Sequence, residues 1–400
     1  MIKVFLKKHR DESLRRFHPW VFSGAVASIQ GTPAEGDLVA VYSAEGAYLA
    51  SGHYQIGSIA VRILSFDADP SSPTFWRDSI GKAFGLRRAA GLTDSSMTNC
   101  FRLVHGEGDG LPGLILDWYD GVCVLQAHSV GMFRARKQIA SALQELFPDT
   151  LKAVYDKSSG TAPFKAGLEL VDGYLYTAPG FDASEQMVLE GGNRFLVNWS
   201  EGQKTGFFLD QRENRALVGR YAAGRRVLNL FCYTGGFSIY ALAAGAASVD
   251  SVDSSARAMS LVDRNVELNF GDRTASGRHC SHCCDAMDFL ASEPEGKYDL
   301  LIVDPPAFAK HRGALKNALR AYQRLNASAI SKAAPGSIIF TFSCSQVVGK
   351  EDFALAVFSA AAQTGRRVRI LDRLNQPADH AVNIYHPEGE YLKGLMLYVE

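Results

Sequence analysis

The spacing of apolar and polar positions changes along this chain. Between residues 20 and 66 apolar residues come in short β-type runs, Asp37 to Tyr42 (DLVAVY), Ala47 to Gly52 (AYLASG) and Ile59 to Leu64 (IAVRIL). The turn pairs Thr32-Pro33, Glu35-Gly36 and Glu45-Gly46 separate them. Such spacing predicts a small β-barrel or sandwich. Asp67 to Pro73 (DADPSSP) reads as a linker. Helical spacing runs from Phe75 to Leu92. Strands follow around Phe101 to Val104, Leu114 to Asp117 and Val122 to Gln126, then a helix from about Met132 to Leu146 and further strands to about Thr177. Gly106 to Gly113 (GEGDGLPG) has no lysine, so it reads as a β-turn rather than a phosphate loop.

Past about Gly180 strands and helices alternate. The strands are Val227 to Phe231, Ser248 to Val252, about Arg278 to Cys283, Leu300 to Val303, Ser337 to Phe342, about Val368 to Arg373, and Tyr391 to Val399. Helical stretches fall at Phe237 to Ala244, Ser255 to Asn269, about Lys316 to Ala333 and Asp352 to Gln363. This alternation predicts an α/β domain, a parallel sheet with helices on both faces. The domains expected are therefore residues 1–73, a β-barrel, 74–180, a mixed α+β domain, and 181–400, a Rossmann-like α/β domain.

Composition narrows the picture. The chain has 400 residues, 47% apolar and 21% charged, a profile of globular domains. No apolar run approaches the roughly 18 residues of a membrane span, and the start MIKVFLKKHR is too short in apolar residues for a secretory signal. The 7 cysteines are an odd number spread over a long chain, which argues for reduced thiols and a cytoplasmic protein. Lys and Arg number 42, as do Asp and Glu, so any nucleic-acid surface must be local. The N-terminal Lys3, Lys7, Lys8, Arg10, Arg15 and Arg16 are one candidate, with a solvated, fraying end as the alternative.

Candidate chemistry lies at the strand ends. Val227 to Gly236 (VLNLFCYTGG) is a strand, a glycine turn and a helix start, without a full G-x-G-x-x-G. Asp253, 18 residues after Gly235, suits a ribose diol, and Asp285 with Ala286 suits an adenine edge. Together with Asp304-Pro305-Pro306 this ordered set resembles the motifs of class I S-adenosylmethionine-dependent methyltransferases. The resemblance implies cofactor contacts from Asn229, Phe231, Tyr233, Thr234, Gly235, Asp253, Ser254, Asp285, Ala286 and Asp304. Upstream, in QKTGFFLDQRENR (Gln203 to Arg215), Phe208, Asp210, Gln211 and Arg212 either close over the methionine end of the cofactor or start an amphipathic helix.

Two buried strands end on chemistry, YDLLIV on Asp304-Pro305-Pro306 and IIFTFS on Cys344. Ligands of open α/β sheets sit beyond the carboxyl ends of strands, so a carboxylate and a thiol are expected to face one crevice. His279, Cys280, His282, Cys283 and Cys284 lie in what reads as a strand, where side chains alternate between faces. They are not expected to converge on a metal.

The stretches HPWVFSGAV (His18 to Val26), GEGDGLPGL, KTGFFLDQR, VLNLFCYTGGF, NVELN (Asn265 to Asn269), DPPAF, TFSCS, ADHAV (Ala378 to Val382) and YLKGL (Tyr391 to Leu395) run nearly end to end. On them the chain resembles the bacterial RlmI-type ribosomal RNA large-subunit methyltransferase I family, which makes 5-methylcytosine in 23S ribosomal RNA. The resemblance implies an N-terminal PUA domain, a central α+β domain and a Rossmann-like catalytic domain, with ribosomal RNA as partner, no membrane, and a monomer or homodimer. It departs at Ala307, where the family often has lysine, and at Gln346, where glycine often follows SCS.

Carbon 5 of cytosine is a poor nucleophile, and a thiolate adding to carbon 6 activates it. Cys344 is the candidate for that attack, with a small packed residue as the alternative. Asp304 would hold the ring nitrogen and amino edge, Pro305 and Pro306 would shape the strand end, and Phe308 would stack on an extruded base. His380 and Lys393 are both open as the base that removes the carbon 5 proton. Arg10, Arg15, Arg16 and Trp20 are the candidate RNA contacts. The alternative is a base-nitrogen methyltransferase that uses DPPAF alone, without a cysteine nucleophile.

Overall fold

The structure is a computed structural model that describes residues 1–163, 167–271, 277–309 and 311–400. By packing, the chain divides into two units. The first comprises 1–188, 197–209 and 378–389, and the second comprises 189–196, 210–377 and 390–400.

The first unit opens with β1 (Ile2–Leu6), a short helix α1 (Glu12–Arg15), β2 (Trp20–Phe22), β3 (Val26–Gln30), β4 (Leu38–Tyr42), β5 (Tyr48–Tyr54) and β6 (Ile59–Ser65). They form a six-stranded sheet in the order β2-β6-β5-β4-β1-β3. Only Ser23–Ala25 join the edge strands β2 and β3, so the sheet must curl to bring its edges together. The N-terminal segment does not fray. Its residues Val4 and Leu6 are buried, and β1 runs parallel to β4 inside the sheet. The basic side chains of this segment had masked its alternating apolar face.

Helix α2 (Phe75–Ala89) leads to β7 (Cys100–His105), β8 (Leu114–Tyr119), β9 (Val122–Ala127), α3 (Val130–Leu146), β10 (Ala153–Asp156) and β11 (Gly173–Thr177), with the five strands in the order β11-β10-β9-β8-β7. Gly106 to Asp109 is a single 3-10 turn closed by left-handed Gly110. Phe75, Ile80, Phe133, Ile139 and Leu143 of the helices share a core with Leu103, Leu116 and Leu125 of the strands.

The boundary between the units falls within β12 (Glu185–Glu190) and β13 (Asn193–Asn198). The second unit continues with α4 (Arg212–Ala222), β14 (Arg226–Leu230), α5 (Gly236–Ala243), β15 (Ser248–Asp253), α6 (Ala256–Phe270), β16 (His279–Cys283) and α7 (Ala286–Ser292). It then runs through β17 (Tyr298–Val303), α8 (Leu315–Lys332), β18 (Ala333–Ser343), α9 (Lys350–Thr364), β19 (Val368–Asn375) and β20 (Lys393–Val399). The sheet order is β16-β15-β14-β17-β18-β20-β19. β14 to β18 are parallel, as the alternation predicts, but β20 inserts antiparallel between β18 and β19. No crossover helix carries the chain from β19 to β20, so it re-enters the sheet in the reverse direction. The order reverses at β14, between β15 and β17, and this switch point opens the crevice.

Between β19 and β20 lies the excursion 378–389, which belongs to the first unit. There Asp379 accepts a hydrogen bond from the Arg102 N–H (2.9 Å), and its carbonyl accepts one from Arg87 (2.7 Å). Arg87 also pairs bidentately with Asp109, and both side chains are buried (0% and 1% exposed). Removing one partner strands the other charge in the interior. Arg87→Met is therefore expected to cost about 3–5 kcal/mol of stability in urea unfolding. A loss below about 1 kcal/mol would show that the pair is dispensable.

Candidate active site

The β17 and β18 motifs end side by side. β17 is buried along Leu300 to Val303 and stops where Pro305 and Pro306, lacking N–H groups, cannot continue a ladder. β17 and β18 pair in parallel with Val303 opposite Thr341, so Asp304 and Cys344 leave the sheet at the same edge. Two side-chain bonds hold the exits. The Ser345 hydroxyl donates to the Ala309 carbonyl (2.7 Å), and the Ser343 hydroxyl donates to the Tyr322 hydroxyl (2.9 Å). The Tyr322 ring lies 4.7 Å from that of half-buried Phe308. Burial pushes the Tyr322 pKa up to about 12, and the negative forms of both Cys344 and Asp304 act on it in the same direction. The thiol and the carboxylate therefore share one electrostatic neighbourhood around Tyr322.

Lys393, the first residue of β20, stands opposite Ser343 in the register. Its side chain is buried, and its ammonium donates to the carbonyls of Ser345 and Val348. Burial pulls its pKa down to about 8, with Cys344 and Glu390 opposing. Sequence reasoning had offered Lys393 only as a guess and missed Tyr322, which lies mid-helix in α8. The YLKG stretch was the one signal for the lysine.

Asp304 accepts a hydrogen bond from the Gln211 amide (3.0 Å), and Asn214 orients that amide by donating to its oxygen (2.6 Å). Burial, then the neighbouring Asp210 carboxylate, pushes the Asp304 pKa up to about 7, against the Gln211 bond and the Arg215 charge. Asp210 itself accepts from the Tyr391 hydroxyl (2.7 Å). Asp210 and Gln211 thus meet the Asp304 motif. Arg212 turns elsewhere: it is buried with Nε 3.6 Å from Glu190, which Arg215 also grips bidentately at 2.7 Å. Phe208 belongs to the first unit, with the Lys204 ammonium 5.9 Å above its ring.

The loop after β14 is strained. Phe231 (φ 58°) and Tyr233 (φ 48°) are left-handed without being glycine, at a cost of roughly 1–3 kcal/mol each. Asp253 restrains this loop by accepting the Tyr233 N–H (3.0 Å) and the Ser255 N–H (2.9 Å). Gly235 is left-handed too, and at Gly236 an added Cβ would lie 2.9 Å from the Arg215 Cδ. The Thr234 carbonyl accepts from Asn265 (2.9 Å), which also receives the Leu196 N–H (2.8 Å). Asp285 caps α7 by accepting the Met287 and Asp288 N–H groups, with Ala286 buried beneath it, and Ser254 is exposed. Asn229 is fully buried and starts a polar chain through Ser238 (2.9 Å) and Ser251 (2.7 Å) to His279 (2.9 Å). His282 pairs with Asp250 (2.7 Å). Both β16 histidines are therefore engaged in hydrogen bonds across the sheet.

His380 is buried in the first unit, 3.1 Å from Asp379 and with its ring 5.0 Å from His105. Trp20 is half-buried: its indole donates to Glu107 (2.9 Å) and packs 4.3 Å from the His386 ring. Arg15 and Arg16 are exposed and pair along α1 with Asp11 and Glu12, and Arg10 is exposed beside them.

Comparison with known proteins matches this geometry to a family. Residues 101–388 match the S-adenosylmethionine-dependent methyltransferase model and residues 4–66 a PUA-like domain model. Ribosomal RNA large subunit methyltransferase I of Alteromonas mediterranea is 40% identical over 98% of both chains, and that of Aeromonas hydrophila is 37% identical over 98% of both. The chain belongs to this family. The crystal structure of SMU.776, a methyltransferase complexed with SAH, covers both chains fully at TM-score 0.83 and 22% identity, which supports the fold. No helix among the described residues is long and apolar enough to cross a membrane.

The family's cofactor is S-adenosylmethionine, and the residues at the β14 switch point fit it. The strained turn at Phe231 to Gly235 leaves close backbone approach, and the acids Asp253 and Asp285 end the next two strands where ribose and adenine hydrogen bonds need acceptors. Protonation of Asp304 gives a test of the site. An unfolded aspartate ionises near pH 4, but folded Asp304 keeps its proton to about 7, so its contribution to stability falls as pH rises between those values. Asp304→Asn removes this penalty. Its melting temperature is expected to exceed wild type at pH 8, with the difference shrinking toward pH 4. A pH-independent offset would contradict the raised pKa.

Proposed function

We propose that this protein methylates carbon 5 of a cytosine in large-subunit ribosomal RNA through a covalent adduct with Cys344. The observation that carries this reading is the half-buried Cys344 thiol at the exit of β18, flanked by Lys393 and Tyr322 and latched to the Asp304 loop. Nitrogen methylation requires no such thiol. The named activity of the relatives supports the RNA substrate.

The base would be extruded and held along its edge by Asp304 with Phe308 against its face. The neutral fraction of Lys393, whose pKa burial pulls down to about 8, accepts the Cys344 proton as sulfur bonds to carbon 6. The displaced electron pair moves into the ring, where protonated Asp304 donates to the ring nitrogen. Carbon 5 is thereby made nucleophilic, and S-adenosylmethionine, when bound, supplies the methyl group. Addition from opposite ring faces leaves the carbon 5 proton on the thiol's face. Lys393, having passed its first proton to solvent, takes this one as the carbon–sulfur bond breaks; it then reprotonates the released thiolate, and the ring nitrogen returns its proton to Asp304. His380, held by Asp379 in the first unit, serves packing in this scheme.

For RNA binding, exposed Arg10, Arg15 and Arg16 contact phosphates, and half-buried Trp20 together with exposed Phe17 and Phe22 offer rings for stacking.

Unmodified large-subunit RNA, incubated with labelled cofactor and digested to nucleosides, should yield 5-methylcytidine with wild type and none with Cys344→Ala. A methylated purine, or an active variant, supports nitrogen chemistry instead. Lys393→Gln, which lacks the base for both steps, should give little 5-methylcytidine and little SDS-stable protein–RNA adduct. Turnover at the wild-type rate without adduct would remove the lysine from the scheme.

A further inference from the structure

A second cluster of ligating side chains lies in the first unit, outside everything assigned above. His18 stands two residues before β2, and His386 and Glu388 come from the excursion 378–389. His18 Nδ1 lies 3.3 Å from the Trp20 carbonyl, and the tautomer that donates to it leaves the Nε2 lone pair available, 4.0 Å from a Glu388 carboxylate oxygen. His386 Nε2 is 3.8 Å from the same oxygen. One ligand atom from each of the three residues falls within 4.8 Å of the others.

His386 is the decisive member. It is 3% exposed, and neither ring nitrogen has a hydrogen-bond partner. Leaving a buried polar group unpaired costs about 1–3 kcal/mol, so something is expected to occupy its lone pair. The Trp20 ring lies edge-on at 4.3 Å and offers no lone-pair acceptor site. Glu107, the nearest other acid, is committed to Trp20 (2.9 Å) and Arg62 (2.8 Å).

We propose that His18, His386 and Glu388 bind a divalent transition-metal cation of the zinc class. Two imidazoles and a carboxylate are ligands that zinc takes at about 2.0–2.2 Å, which sets them roughly 3.4 Å apart in a tetrahedron. The gaps of 3.8 and 4.0 Å to Glu388, with all three ligand atoms within 4.8 Å, must contract on binding, and the Glu388 side chain, 55% exposed, has room to move. Water completes the fourth position. All three ligands belong to the first unit, so the cation acts structurally, clipping the excursion to the start of β2.

Tag-free full-length protein stripped with EDTA and titrated with zinc sulfate in a calorimeter tests this. The expected result is one zinc per chain and a melting temperature that rises with zinc and falls back with EDTA. Glu388→Gln and His18→Gln, both at sites with solvent access, should weaken zinc binding roughly 100-fold, at the upper end of what even indirect changes at zinc sites produce. His386→Gln should abolish it. Cobalt in place of zinc should give visible absorption bands that Glu388→Gln loses. No zinc uptake overturns the proposal. So does affinity unchanged in Glu388→Gln and His18→Gln, or binding lost only with Cys280→Ser and Cys283→Ser, the exposed β16 thiols.

Discussion

The placement of Asp304 beside Cys344 depends on the parallel pairing of β17 with β18 and on the hydrogen bond from Ser345 to the Ala309 carbonyl that ties their exits together. A one-residue slip would turn alternate side chains to the opposite face and separate the carboxylate from the thiol. Lys393 guards against that slip. Its buried ammonium holds the carbonyls of Ser345 and Val348, so the β18 exit loop is fixed from the β20 side as well. Placing a lysine there carries a desolvation cost, which pulls its pKa down to about 8.

Asp304 follows the same logic. Burial beside Asp210 disfavours its charged form and pushes its pKa up to about 7. The strained Phe231 and Tyr233 add a further local cost at the cofactor turn. The chain from Asn229 to His279 and the Asp250–His282 pair spend polar groups of β14, β15 and β16 on one another.

Much of this was legible in the sequence because it is local. The strands and helices past residue 226 follow from apolar runs and turn residues, and DPP and SCS mark two strand ends within a few residues each. What escaped the sequence depends on contacts between distant residues. The Lys393 bond to Ser345, Tyr322 between the two motif loops, and the Arg212 and Arg215 grip on Glu190 have no local signature. The excursion 378–389 reads as one more stretch of the catalytic domain, yet Asp379 is bonded to the β7 backbone. β1 was hidden for the opposite reason: its lysines gave a strong local signal of a solvated end while Val4 and Leu6 were core.

The most direct measurement is mass spectrometry of the protein after incubation with 5-fluorocytosine-containing large-subunit RNA and S-adenosylmethionine. Fluorine at carbon 5 cannot leave as a proton, so a thiol-addition enzyme stalls at the adduct. The expected result is a nucleotide joined to the peptide bearing Cys344. An unmodified Cys344 peptide, with the RNA nonetheless methylated, would contradict the covalent mechanism.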